Sequence, residues 1–434
     1  LDQASLLNQD HPQGLPAHER SFILKELSLQ LQLRQEQFVQ LACQEGGKPI
    51  NDTRVEVQRA IQGIELASAS IAQLKGDQVP MELTPAGENH TAWTQIEPIG
   101  VVVAISAFNH PLNLIVHQVV TAVAAGCPVL VKPSLLTPLS CLALIDLLHE
   151  VGLPRPWAQV ILCDDMHSEM LATDPRVNYL SFIGSHPVGW SLRSKVSPGT
   201  RVVLEHGGIA PAIIEPDAPW QQAMPGLIKA AFYHAGQVCV SLQRLFVHEE
   251  IYQEFRGALI QGIKLLEIGD PLLETTAIGP LIQAKELNRV HNWIQNAQKE
   301  GATITLGGQI LSDNLYSATL IENVPLSSQV SEEEIFGPVL CLYKYKNIGE
   351  AIKMSNDTPM HFQSSIYTRD IQKALSCAQA LNANSILINQ HPAFRVDWMP
   401  FGGRDQSGLG VGGILQSMKD MSKEKLVIVH HPKH

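Results

Sequence analysis

The chain has 434 residues, 45% of them apolar and 17% charged, enough to bury sizeable cores and to form about two or three domains. Its formal charge is −11 with acids and bases interspersed, so no basic stripe faces a phosphate backbone and nucleic acid is excluded as the expected partner. No apolar run reaches the ~18 residues of a membrane helix; the longest candidate, 112–131, is interrupted by Asn113, His117, Gln118, Gly126 and Pro128. An odd count of 7 cysteines, no C-x-x-C spacing and a polar start without a signal-peptide pattern are read as reduced thiols in a cytoplasmic compartment. The closing His430-His431-Pro432-Lys433-His434 is read as a solvated tail, and no metal is expected.

Residues 18–45 carry Ile23, Leu24, Leu27, Leu31, Phe38 and Leu41 at helical spacing before Gly46-Gly47-Lys48-Pro49 stops them. A second helix places Val57, Ala60, Ile61, Ile64, Ala67, Ser68 and Ile71 on one face. Both are expected to be a packing layer without chemistry. Within 80–98, Thr84-Pro85-Ala86-Gly87 between short extended runs predicts a hairpin that leaves the domain body, and its exposed edge suits an oligomer.

From 99 to 205 the pattern becomes a regular alternation. Apolar, β-rich runs at 100–107, 128–132, 159–163, 179–183 and 202–205 are separated by helical stretches at 111–125, 138–151, 166–173 and 187–195. Parallel neighbours need crossovers, so this predicts a parallel sheet covered on both faces, with ligands bound beyond the carboxyl ends of its strands. At those ends lie Phe108-Asn109-His110-Pro111, Lys132-Pro133-Ser134 and Phe182-Ile183-Gly184-Ser185. Lys132 supplies a cation, and Gly184 and Ser185 open a helix whose free N–H groups suit a phosphate; the plainer readings are an exposed strand end and an ordinary N-cap.

A second α/β region follows, joined near 205–209, with strands at 212–215, 245–247, 339–345, 364–367 and 385–389. Its helices are expected at 220–235, 251–266, 284–301, 348–356 and 371–383. The final run, Lys425-Leu426-Val427-Ile428-Val429, lacks a partner in its own domain and is expected to pair with the hairpin. Gly408-Leu409-Gly410-Val411-Gly412-Gly413 matches G-x-G-x-x-G, but no strand precedes it and no βαβ unit follows, so it is read as a turn-rich, flexible segment. Cys239, after Ala235-Gly236-Gln237-Val238, and Glu205, before His206-Gly207-Gly208, offer a thiolate nucleophile and a proton acceptor. Each alone is more ordinarily a buried small side chain or a solvated strand end.

The motifs F-N-H-P, V-K-P-S, F-I-G-S-x-x-V-G, L-E-H-G-G, G-Q-V-C, E-E-I-F-G-P-V and P-F-G-G, in this order across nearly the whole chain, make the sequence resemble the aldehyde dehydrogenase superfamily. The resemblance implies an α/β fold with a Rossmann-like NAD(P)-binding domain over 1–78 and 98–206 and an α/β catalytic domain over 207–411. It further implies a small oligomerisation element from 79–97 and 412–434, and assembly as a homodimer or homotetramer. The reaction implied is oxidation of an aldehyde to a carboxylic acid. Cys239 would be the nucleophile, Asn109 and the Cys239 N–H the oxyanion donors, and Glu205 the activator of the hydrolytic water. Lys132 would bind the adenosine ribose beside Ser106, Ala107, Phe108 and Ser134. Gly184, Ser185 and Val188 would face the pyrophosphate, Glu334 the nicotinamide ribose and Phe336 the nicotinamide. His110, Val238, Val240 and Arg395 would line the substrate site.

Some positions depart from the family's commoner pattern. Leu135 stands where many NAD-using members carry a Glu that binds the ribose 2′-hydroxyl, so both NAD and NADP are expected cofactors. His234 replaces an Asn, and Ile209 and Asp405 replace residues that are often Lys. The resemblance also implies that an N-terminal strand pair is missing from this sequence. The loop 391–399, with Arg395, is similar to those of branches acting on phosphonoacetaldehyde or lactaldehyde, and an Arg there suits an anionic tail; a structural salt bridge to Asp397 is the alternative. A CoA-acylating semialdehyde dehydrogenase, disfavoured by the retention of Glu205, and an inactive nucleotide-binding homologue, disfavoured by the retention of both Cys239 and Glu205, are the other functional readings.

Overall fold

The computed structural model describes residues 1–432; Lys433 and His434 of the expected tail lie outside them. Five parallel strands in the order Arg201–Glu205, Tyr179–Ile183, Val102–Ile105, Val129–Lys132, Ala158–Val160 form the first sheet. Their apolar side chains are buried on both faces, as crossover helices on each side require. One core packs Ala17–Leu33, Ile50–Ser70 and Leu139–Glu150 against the sheet, and the other face is closed by Leu180, Phe182, Leu192 and Leu204. Each fully buried Leu, Ile or Val there contributes about 1.5–3 kcal/mol.

The second sheet runs Thr303–Leu306, Thr319–Glu322, Val339–Tyr345, Leu242–His248, Ala210–Ile214, Gln363–Tyr367, Ser385–Ile388, with only its first pair antiparallel. A third sheet pairs Gln78–Val79 with His90–Pro98 and, along nine positions from Ser422↔Pro98 to His430↔His90, with Ser422–His430. The last strand thus finds its partner in the hairpin of its own chain. The rest of the segment 412–434 divides differently, because Ile414, Met418 and Met421 enter the first core.

Several elements differ from their sequence-based expectation. The helix expected over 18–45 is two, Ala17–Leu33 and Gln35–Gly46, broken at Arg34. The helical stretch after Leu112 contains a π turn at Val116–Val120. The helix expected to reach Ala235 stops at Phe232, since His234 (φ 48) and Ala235 (φ 54) turn left-handed. Strands Thr303–Leu306 and Thr319–Glu322 went unread because their short apolar runs are framed by Gly and polar loops. The segment 408–413 is no flexible turn: Gly408 and Leu409 pair antiparallel with Glu205 and Leu204 and add a sixth strand to the first sheet.

Candidate active site

Cys239 follows a tight turn in which His234, Ala235 and Gly236 all have positive φ, and a Cβ on Gly236 would lie 2.0 Å from the Gly337 carbonyl oxygen. Only glycine lets the loop carrying Glu334 and Phe336 come this close to the nucleophile's turn. Gln237 fixes the turn from within. Its Nε2 donates to the carbonyls of His234 (3.2 Å) and Pro280 (3.3 Å), and its Oε1 accepts from the Ile282 N–H (2.9 Å). The Asn109 Nδ2 donates to the Gln237 carbonyl (2.9 Å), which brings the end of the first sheet to within two residues of Cys239.

Glu205 ends a strand held on one side by Ile183 and on the other by Gly408. The two glycines after it are where the segments converge. A Cβ on Gly207 would lie 1.9 Å from the Glu334 carboxylate, and one on Gly208 2.9 Å from the Cys239 carbonyl oxygen. The Gly208 N–H donates to Glu334 Oε1 (3.2 Å). Gly412 closes the opposite side, where a Cβ would lie 2.3 Å from Glu205 Oε1. The glycines of L-E-H-G-G and of 408–413 therefore serve close approach rather than flexibility.

Electrostatically these groups form one cluster. Burial pushes the Cys239 thiol up to about 12, opposed by Arg395 and reinforced by Glu334 and Glu205. Burial also raises Glu205, again opposed by Arg395, and raises Glu334 to about 8 against the Gly208 N–H and Arg289. Arg395 is lowered by burial and by Arg59, while Asp397, Glu205 and Cys239 favour its charge. Its guanidinium carbon lies 3.6 Å from the Phe401 ring centroid, and its Nε is buried without a hydrogen-bond partner. The alternative salt bridge with Asp397 is present, but long. Asp397 is 3.9 Å away and is already held by Arg59 at 2.9 and 2.7 Å, His117 Nε2 at 2.7 Å and Asn113 Nδ2 at 3.3 Å.

The remaining expected substrate residues lie nearby. Val238 and Val240 pack with Phe362 and Phe401 in a small apolar cluster that Cys239 and Tyr233 adjoin. His110 is buried with its Nε2 3.4 Å from the Tyr233 hydroxyl, and burial, then the Lys48 charge, hold its pKa well below the usual imidazole range.

Most of the residues expected to bind the cofactor gather at the carboxyl end of the first sheet. Ser106 follows Val102–Ile105 with a buried hydroxyl that lacks a partner, and its N–H donates to the Lys132 carbonyl (3.0 Å). Ser185 precedes the helix His186–Lys195 without capping it through its side chain, and the exposed Val188 lies on that helix's first turn. Ala107 continues from Ser106, and Phe108 meets Phe336 edge-on at 5.8 Å. Ser134 Oγ accepts from the Leu136 N–H (3.2 Å), and Leu135 beside it is exposed. An orphaned hydroxyl, a buried lysine and an uncapped helix N-terminus at one sheet end are a donor set that fits the ribose and pyrophosphate of a dinucleotide.

The supposed packing layer carries functional groups that the sequence reading missed. Glu56, 1% exposed, forms a buried ion pair with Lys48 and accepts from the N–H groups of Leu112 (3.0 Å) and Asn113 (3.1 Å), so it caps the helix that follows Asn109-His110. Arg59 secures Asp397 and Asp52 pairs with Lys229. The available signal was Asp52, Glu56 and Arg59 at i, i+4 and i+7, a charged stripe bordering the apolar face.

A family model described as the aldehyde dehydrogenase family matches residues 3–427. The chain is 36% identical over 414 residues, 95% of its own length and 86% of the relative's, to a 3-sulfolactaldehyde dehydrogenase of Priestia megaterium. It superposes with a TM-score of 0.95 and 34% identity on aldehyde dehydrogenase 21 from Physcomitrella patens in complex with the reaction product succinate, covering 99% of this chain and 89% of that one. It also matches the glyceraldehyde-3-phosphate dehydrogenase GapN of Methanocaldococcus jannaschii complexed with NADP, with a TM-score of 0.94, 31% identity and coverage of 99% and 93%. With its nucleophile turn, its sheet-end nucleotide donors and this similarity along almost its full length, the chain belongs to the aldehyde dehydrogenase family and is an NAD(P)-dependent enzyme.

Proposed function

We propose that this enzyme oxidises a small aldehyde carrying an anionic group at its far end, releasing the free acid. The observation that carries the reading is Arg395, a largely buried guanidinium whose Nε has no hydrogen-bond partner and whose ion pair with Asp397 is long, at 3.9 Å, and shared with Arg59, in electrostatic range of both Cys239 and Glu205. A buried charge that is only distantly paired is costly, and a substrate carboxylate, sulfonate or phosphate would supply a close partner. The similar proteins named for sulfolactaldehyde and glyceraldehyde-3-phosphate, and the one bound to succinate, all concern molecules with such a group.

In this reading the Cys239 thiol gives up its proton to water, its thiolate adds to the aldehyde carbon, and the second N–H of the Asn109 amide with the Cys239 backbone N–H steadies the resulting oxyanion. The nicotinamide cofactor, when bound, supplies the hydride acceptor. Glu205 then takes a proton from water as the water oxygen bonds to the thioester carbon, the C–S bond breaks, and sulfur leaves with its electron pair to regenerate the Cys239 thiolate. Ser106, Ala107, Phe108, Lys132, Ser134, Gly184, Ser185 and Val188 hold the adenosine and pyrophosphate, and Glu334 and Phe336 the nicotinamide end. His110, Val238 and Val240 shape the wall beside the aldehyde. Assembly through the sheet of His90–Pro98 and Ser422–His430 completes the reading, and cysteines mostly buried as small apolar side chains suit a cytoplasmic, reducing compartment.

The test is a panel containing a four-carbon aldehyde with a terminal carboxylate, its sulfonate counterpart and uncharged butanal, read at the nicotinamide absorbance with NAD and with NADP. The anionic aldehydes should be preferred, and Arg395→Gln should lower their kcat/KM by roughly 30-fold or more, the 2–3 kcal/mol of a lost charged hydrogen bond, while leaving butanal within a few-fold. Equal losses for charged and neutral aldehydes would remove the anionic substrate.

A further inference from the structure

The segment from Phe401 to Gly413 crosses from the second sheet to the first and passes directly beside Glu205. It is closed into a strap at both ends. Phe401 and Gly412 bridge each other antiparallel, and Met360-His361 pairs with Arg404-Asp405. Between them the turn 404–407 carries Asp405 in the left-handed region at φ 54, a conformation that costs a non-glycine residue about 1 kcal/mol. The turn is held by its side chain. Asp405 Oδ2 is 2.8 Å from His361 Nδ1 and 3.0 Å from Asn382 Nδ2, and His361 Nε2 lies 3.1 Å from the Asn356 carbonyl oxygen. On the other side His206 Nδ1 (2.9 Å) and Trp190 Nε1 (3.3 Å) both donate to the Gln406 carbonyl, and the His206 N–H donates to that of Ser407 (3.0 Å).

The pairing of the strap with the catalytic strand is only Gly408↔Glu205 and Leu409↔Leu204. So short an edge strand depends on what anchors its ends. No hydrogen bond to the Glu205 carboxylate is formed from any described side chain, and Gly412 lies against it, where a Cβ would fall 2.3 Å from Oε1. The same strap carries Phe401, on whose ring Arg395 rests.

We propose that His361 and Asp405, with Asn382, are positioning residues for the hydrolytic half-reaction: they clamp the 404–407 turn so that the strap holds the Glu205 carboxylate where it activates water. The proposal rests on the reading of Glu205 as the water-activating base. Asp405 is fit for the task because its carboxylate lies within hydrogen-bond distance of two groups of the second α/β region at once, His361 and Asn382.

Single turnovers with enzyme in excess over the four-carbon carboxylate aldehyde separate the two half-reactions: NAD(P)H appearance reports acylation, and the Cys239 acyl adduct, followed by quenching and intact-mass measurement, reports deacylation. In Asp405→Asn and His361→Gln, NAD(P)H should appear within about twofold of the parent rate, while adduct decay slows roughly tenfold, well inside the ~100-fold that a misplacement of about 1 Å can cost. Should either variant fail to fold, Gly412→Ala, which crowds the carboxylate from the same side, must give the same split. Parallel losses in both half-reactions, or adduct decay at the parent rate, overturn the positioning role. If the parent enzyme itself forms neither NAD(P)H nor a Cys239 adduct, the cysteine mechanism fails and not only the strap's part in it.

Discussion

In the proposed reading, Arg395, Glu205 and Leu135 are the positions where one side chain decides a functional property. Burial raises the Glu205 carboxyl above its ordinary 4.5, and the Arg395 charge opposes the rise. Water activation needs the ionised carboxylate, so deacylation should fall as the pH drops through this raised value, at a higher pH than an exposed glutamate would show. In Arg395→Gln the acid limb should move further upward. A pH profile of deacylation that stays in place would separate the two residues electrostatically. Leu135 is exposed beside Ser134 near the end of the Lys132 strand. A carboxylate there, as in Leu135→Glu, would repel a 2′-phosphate by about 1 kcal/mol in water, a change of roughly fivefold in the NADP to NAD ratio of kcat/KM. An unchanged ratio would show that the adenosine ribose is read elsewhere.

The helix Ile50–Ser70 shows how an element that looks like filler can carry the site. Its apolar face was legible, since Val57, Ala60, Ile61, Ile64 and Ala67 recur at helical spacing and are all buried. The roles of Glu56 and Arg59 were not, because a charged side chain one step from an apolar stripe reads as solvated until its partners, Lys48, the Leu112 and Asn113 amides and Asp397, are known to converge on it. Burial disfavours the charged form of Asp397, but hydrogen bonds from His117 and Arg59 more than offset it and hold the carboxyl below the usual range. Its stabilising contribution is therefore present above the unfolded-state value and lost as the pH falls below it. Asp397→Ala leaves Arg59 without its partner and should cost about 3–5 kcal/mol in denaturant unfolding at neutral pH. A cost below about 1 kcal/mol would mean that water replaces the pair.

At the scale of the whole molecule, the strand Ser422–His430 lies at the outside of its sheet and exposes Leu426 (53%), Ile428 (52%) and Val429 (37%). An uncovered apolar edge strand of this length invites pairing with another chain. Replacing Leu426 and Ile428 together with Lys should shift the assembled protein toward a smaller species in sedimentation velocity, with the single-chain fold retained. Unchanged sedimentation would place the subunit contact elsewhere.

Much of this architecture was legible in order along the chain. Strand–helix alternation over 99–205 foretold the parallel sheet, and the strands Tyr179–Ile183 and Val339–Tyr345 fall on their expected bounds, because β-branched runs flanked by turn residues encode local structure within a few positions. The amino-acid sequence by itself determined the alternation, the sheet ends that carry Lys132, Ser106 and Ser185, and the candidate pair Cys239 and Glu205. Only the tertiary structure decided that Gly408-Leu409 leaves the second region to line the Glu205 strand, that Arg395 shares Asp397 with Arg59 and reaches it only at 3.9 Å, and that the helix layer reaches under the site. These depend on contacts between residues far apart in the chain, and a glycine kept for close approach looks the same in sequence as one kept for a turn until the neighbouring backbone is in place.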